Sequence, residues 1–112
     1  MPGLPNMQGM MKQLQKMQEA VARVQQELES KTVTGDAGGG MVKVTANGKQ
    51  RLTAMHIDRE VVNPDDCAML EDLVMAAANK ALEESAKMAQ EEMARATGGM
   101  LPNIPGLNIP GF

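Results

Sequence analysis

Three adjacent acid pairs, Asp65–Asp66, Glu83–Glu84 and Glu91–Glu92, are the first groups in the chain with the composition for acid–base chemistry. Such chemistry needs two carboxylates that converge on one bond. Neighbours on a helix point about 100° apart, so these pairs diverge and read as a solvated helix face. Glu83 and Glu91 are instead set four residues before Lys87 and Arg95, the favourable order for surface ion pairs. Ser30 and Ser85 are the only serines, and no histidine is placed by the sequence to activate either. His56, the sole histidine, falls in a strand pattern and reads as a structural or edge residue. Cys67 is the sole cysteine, so no internal disulfide forms. A thiol near a helix start is a candidate for thiolate chemistry, but neither a resolving partner nor a substrate pocket accompanies it. A zinc site takes about three or four ligands, and one Cys and one His in separate elements do not supply them. The expectations are no catalytic residue, no metal, no cofactor and no small-molecule substrate: the chain is not expected to be an enzyme.

The stretch "GDAGGGMVKVTANGKQRL", residues 35–52, raises a second chemistry. Gly38–Gly40 resemble a phosphate cradle only in composition. A P-loop has a strand before its glycines and a Gly-Lys-Ser/Thr run opening a helix after them. Here a strand pattern follows, so the glycines read as a turn between two strands.

Cations are the remaining candidates. Residues 1–57 carry seven bases and four acids, whereas residues 58–97 carry four bases and ten acids. The overall charge is −3, yet the first eighteen residues hold Lys12 and Lys16 and no acid. Taken alone, the net charge argues against nucleic acid as a partner, but its distribution makes an acidic chain with a locally basic N-terminal arm.

The elements that position these groups follow from periodicity. Met7, Met10, Leu14, Met17, Val21, Val24 and Leu28 recur at alternating steps of three and four, a heptad seam. Gln, Lys, Glu and Ala fill the intervals, predicting a helix over 7–31 with Glu19–Arg23 and Glu27–Lys31 as i,i+4 pairs. Thr32–Thr34 reads as a first strand, 41–46 as a second with Val42, Val44 and Ala46 on one face, and 49–58 as the return strand. Asn47-Gly48 suits a two-residue type I′ turn between the last two. Asn63 reads as an N-cap with Pro64 at the first helical position. A long helix then runs to about Thr97 and ends at Gly98-Gly99. Its seam is Cys67, Leu70, Val74, Ala77, Ala81 and Met88, interrupted by Glu84, and its many alanines allow close helix approach. The fold class is α+β, in the order α-β-β-β-α, with a three-stranded antiparallel sheet flanked by two long helices.

The 112 residues fit one domain, spanning 7–97, between a flexible tail at 1–6 and a disordered Gly/Pro-rich tail at 98–112. The second tail holds "NIPG" twice and no charged side chain. Twelve methionines and a single aromatic, Phe112, mean a core of aliphatic side chains, suited to helix seams. No stretch approaches the roughly 20 apolar residues that span a membrane, and the N-terminus lacks a signal-peptide pattern. A reducing cytosol is the expected compartment.

A sheet this small covers only the roots of two long helices. The apolar seam left over calls for a second copy, and a two-fold homodimer is the commonest solution. Its expected seam is Leu14, Met17, Val21, Val24, Leu28, Leu70 and Val74. If the helices run antiparallel, Lys12 and Lys16 lie at the same tip as Lys87 and Arg95, and these four with Arg23 are the candidate contact residues.

The segments "MKQLQKMQEAVARVQQELES", "VTGDAGGGMVKVTANG", "HID" and "MLEDLVMAAANKALEESAKMAQEEM" together resemble the YbaB/EbfC family of bacterial nucleoid-associated proteins, over about residues 7–100. The resemblance implies the α-β-β-β-α fold, an intertwined homodimer with projecting helical arms, and sequence-tolerant binding of double-stranded DNA that compacts or bends it. It also implies a nucleoid location. The resemblance does not fix the DNA-contacting residues, so the five named above rest on the charge and tip argument. The last helix is strongly acidic, which predicts weak, salt-sensitive binding. Family members often neighbour recombination or replication genes, so a coiled-coil adaptor for such a protein is the alternative reading.

Overall fold

The computed structural model describes residues 7–98. The expectations for 1–6 and 99–112 lie outside the described residues. The element order is α1 (Met7–Leu28), β1 (Thr32–Ala37), β2 (Val42–Asn47), β3 (Leu52–Ile57), a short 3-10 turn (Arg59–Val61) and α2 (Cys67–Ala96). This is the α-β-β-β-α order that the sequence predicts.

The strands form one antiparallel sheet in the order β1-β2-β3. Val33, Gly35 and Ala37 of β1 stand beside Ala46, Val44 and Val42 of β2. These side chains face α2. Val42, Val44 and Ala46 are fully buried there with Ala77 and Ala81, and Val61 is buried beside them. The other face carries Thr34, Asp36 and Lys43 and is open to water, as one face of an antiparallel sheet commonly is.

β1 runs three residues further than its β-branched start suggests, because Gly35–Ala37 pair with Val42–Val44. Gly35 also sets how closely α2 approaches. A Cβ there would lie 2.4 Å from the Ala81 nitrogen and 2.6 Å from the Ala77 oxygen. The glycine run forms the β1–β2 turn, with positive φ at Gly38, Gly39 and Gly40, the conformation glycine adopts without steric cost.

The β2–β3 connection departs from expectation. It is not a two-residue type I′ turn at Asn47-Gly48. Gln50, at φ +61°, is the residue with positive φ, and the Gln50 N–H donates to the Asn47 carbonyl at 3.0 Å. The loop spans residues 48–50, a three-residue hairpin closed by a left-handed residue. A bulge follows, where pairing slips between Thr45 and Ala46. The Gly48 position is fixed instead by α1. A Cβ would lie 2.5 Å from a Leu28 methyl, and the Gly48 N–H donates to the carbonyls of Leu28 at 2.8 Å and Lys31 at 3.0 Å. Asn47 Nδ2 donates to the Glu29 carbonyl at 3.3 Å. The hairpin tip thus satisfies carbonyls that a helix end leaves open, and α1 stops at Leu28 rather than Lys31.

α2 starts later than Asn63. Asp66 is its N-cap, accepting the Met69 N–H. Asn63 accepts the Asp65 N–H at 3.0 Å in a preceding Asx turn. At the far end, Thr97 Oγ1 donates to the Met93 carbonyl at 3.1 Å, and Gly98 at φ +61° turns the chain out of the helix.

Candidate nucleic-acid interface

α1 and α2 cross antiparallel beyond the sheet and form one arm. Its root is a buried polar joint. Ser85 is fully buried, and its hydroxyl donates to the Asn47 carbonyl. Asn47 Oδ1 in turn accepts the N–H groups of Lys49 at 2.9 Å and Arg51 at 3.2 Å. The seam expected across Glu84 therefore continues through Ser85, one residue on. A lone small hydroxyl within an alanine-rich helix gave that role no sequence signal.

Further out, Lys31 Nζ lies 2.9 Å from Glu92 Oε2, and Arg95 Nη1 lies 3.5 Å from Glu92 Oε1. The Lys31 hydrogen bond, then the Arg95 charge, hold the Glu92 carboxyl below its ordinary value, against some desolvation. Lys31 and Arg95 thus meet Glu92 rather than the i,i+4 partners Glu27 and Glu91. The ion pair fastens the connection between α1 and β1 to the last third of α2.

The seam residues divide by position. Val24 and Leu28 are buried by the chain's own α2 and hairpin, so their burial needs no second copy. Leu70 and Val74 are half-buried against the sheet-side core. Met17 and Val21 are half-buried, while Leu14 is exposed. Gln13, Lys16, Met17 and Ala20 of α1 line a shallow cleft of about 290 Å³ with Ala96 and Thr97 of α2. α2 ends there. The first six residues of α1, Met7–Lys12, run past it for about 9 Å.

The five sequence-predicted cations fall into two groups. Lys12 and Arg23 lie on the exposed side of α1 away from its apolar seam, with Glu19 between them in sequence, while Lys16 is exposed at the margin of the cleft. Lys16 sits beside the C-terminal end of α2, where helix carbonyls favour a cation. Arg95 shares that end of the arm but is engaged with Glu92. Lys87 is exposed two turns back along α2. Among the described residues, Lys12, Lys16, Arg23 and Lys87 form no ion pair. Lys12 and Lys16 are thus the unneutralised cations nearest the tip.

His56 is exposed on β3, opposite Lys43. Cys67 is exposed, with its thiol against the Pro64 carbonyl. A second cleft, of about 260 Å³, is lined by Gln25, Leu28, Gly48, Lys49, Gln50, Ala89, Gln90 and Met93. Neither cleft is lined by a histidine, cysteine or carboxylate. Among the described residues no group of three or more His, Cys, Asp or Glu is placed to hold a metal ion, and no helix is long and apolar enough to cross a membrane.

Comparison with known proteins gives this geometry a family. The chain is 50% identical over 102 residues to a nucleoid-associated protein of Syntrophobacter fumaroxidans, covering 91% of each chain. It is 52% identical over 106 residues to one of Caldanaerobacter subterraneus subsp. tengcongensis, covering 95% of this chain and 94% of that one. Its fold is similar to the crystal structure of an uncharacterized protein of Helicobacter pylori, with a TM-score of 0.57 at 25% identity over 80% of this chain and 89% of that one. The profile of the YbaB/EbfC DNA-binding family matches residues 2–100, and the chain belongs to that family.

Proposed function

We propose that this chain is a nucleoid-associated protein that binds double-stranded DNA through the tips of its helical arms. On this reading it works as a homodimer, has little sequence preference, and alters DNA conformation in the nucleoid, with effects on gene expression. The observation that carries the reading is the N-terminal end of α1, where Lys12 and Lys16 stand exposed and, among the described residues, without an ion pair. Relatives named nucleoid-associated proteins, at 50–52% identity over nearly the whole chain, support it. Those names speak of the nucleoid and not of a recombination or replication partner, which leaves the adaptor reading without support.

The binding mode follows from what the arm offers. Lysine ammoniums contact phosphates without reading bases. The chain's only Phe, Tyr or Trp is Phe112, so residues 7–98 offer unpaired bases no stacking platform beyond the single imidazole of His56. Acids on α2, Glu83, Glu84, Glu91 and Glu92 among them, oppose the polyanion, so binding is weak and falls steeply with salt.

A second copy is the occupant we propose for the uncovered side of the sheet. α2 lies over β1 and β2. On β3, Leu52 and Met55 stand in register with Ala46 and Val44 yet are each 47% exposed. An edge strand with exposed apolar side chains invites pairing, and an isologous contact closes it. Two arms per dimer double the number of lysine tips.

The test is a mobility-shift titration of duplex DNA with the intact protein and with a Lys12→Glu, Lys16→Glu variant. Reversing both charges is expected to weaken binding by about tenfold or more, with the dimer unchanged by light scattering. Equal binding by the two proteins contradicts the tip assignment.

A further inference from the structure

We propose that the chain's own C-terminal segment, residues 99–112, lies along the apolar seam of α1 between Met7 and Met17 and completes the arm beyond the end of α2. The proposal does not depend on DNA binding.

The seam is continuous in sequence and discontinuous in cover. Leu28 is 2% exposed and Val24 is 6%. Val21 and Met17 are half-buried. Leu14, Met10 and Met7 are 55%, 61% and 54% exposed on the same helix face. Every residue in this series is apolar. What changes is the neighbour, since α2 ends at Ala96 and Thr97, level with Lys16 and Met17. Three large apolar side chains in a row on one face, left to water, are an unfilled packing surface.

The chain itself delivers an occupant to that point. Gly98, at φ +61°, turns the backbone out of α2 beside the cleft. The residues that follow are "GMLPNIPGLNIPGF", with no charged side chain and with Met100, Leu101, Ile104, Leu107, Ile109 and Phe112. Pro102, Pro105 and Pro110 forbid a continuous helix. In extended, proline-compatible geometry about five residues cover the ~15 Å of helix rise from Met17 to Met7. Fourteen residues are therefore ample, and residues 100–104 suffice to bring Leu101 and Ile104 over the seam. Methionine side chains adapt to such a guest. Lys12 is exposed off the seam, and Lys16, exposed at the margin of the cleft, flanks the path of the segment.

The experiment is methyl NMR of the full-length protein labelled at methionine methyls, compared with the chain ending at Gly98. The expected result is a shift of the Met7, Met10 and Met17 signals on truncation, with Met41 and Met55 unmoved. A full-length Leu101→Asp, Ile104→Asp variant should reproduce the truncation spectrum. Unchanged Met7, Met10 and Met17 signals in both forms overturn the proposal. So do shifts that appear in the full-length protein only as its concentration rises, which would give the seam to a second copy.

Discussion

Gly35 of β1 and Ala81 of α2 meet backbone to backbone, close enough that a Cβ on Gly35 would stand 2.4 Å from the Ala81 nitrogen. The other atoms within reach are also backbone, Ala77 O at 2.6 Å and Ala81 Cα at 2.9 Å, so no side chain can yield. Gly35→Ala is therefore expected to push α2 off the sheet and cost about 2–3 kcal/mol, the upper range for overpacking. Gly39→Ala, at φ +68° with nothing within 4 Å, should cost less, about 1–2 kcal/mol from left-handed strain alone. Urea unfolding of the two variants checks the order. Equal losses would mean that α2 relaxes freely at Gly35.

The Ser85 hydroxyl joins the middle of α2 to the hairpin tip. Ser85→Ala removes the donor, but the Asn47 carbonyl keeps the Gln50 N–H. The loss is then near 1 kcal/mol, typical of one hydrogen bond. Hydrogen exchange at Gly48 and Gln50 should quicken more than exchange at Val42. Uniform quickening would show that Ser85 supports the whole sheet rather than this joint.

Glu92 gives the arm a pH limit. Its carboxyl is held below the ordinary value by Lys31 and then Arg95. A carboxylate with a lowered folded pKa stabilises fully above its unfolded value, and that contribution is lost as pH falls through the folded value. The α1–α2 clamp should therefore hold at neutral pH and loosen below the ordinary carboxylate range. Glu92→Gln should remove this pH response. Methyl signals of Met17 and Met93 followed from pH 7 downward report it; identical titrations of the two proteins would place the acid response elsewhere.

Local chemistry in the sequence was enough for much of this fold. Three glycines before an alternating strand specified the β1–β2 turn, and the heptad spacing placed Val24 and Leu28 on the buried stripe. What was not legible depends on contacts distant in sequence. Asn47-Gly48 matches a type I′ turn locally, yet Gly48 is demanded by Leu28 and the turn's positive φ falls on Gln50. Asn63 and Asp66 are both competent caps, and the chain uses them in succession. Ser85 and Gly35 carry no periodic signal, because each is explained by one partner on another element. At the arm, charge and an antiparallel assumption were enough to bring Lys16 to the end of α2. They did not reveal that Arg95 is tied to Glu92.

The central claim is that the lysine tips bind duplex DNA through phosphates. Its most direct test is fluorescence anisotropy of a labelled duplex titrated with the purified protein at several salt concentrations. Two lysines on each of two arms neutralise up to four phosphates, so log K should fall linearly with log salt with a slope no steeper than about −4. The Lys12→Glu, Lys16→Glu variant should flatten that slope towards zero. No binding even at low salt, or an unchanged slope in the variant, would contradict the account.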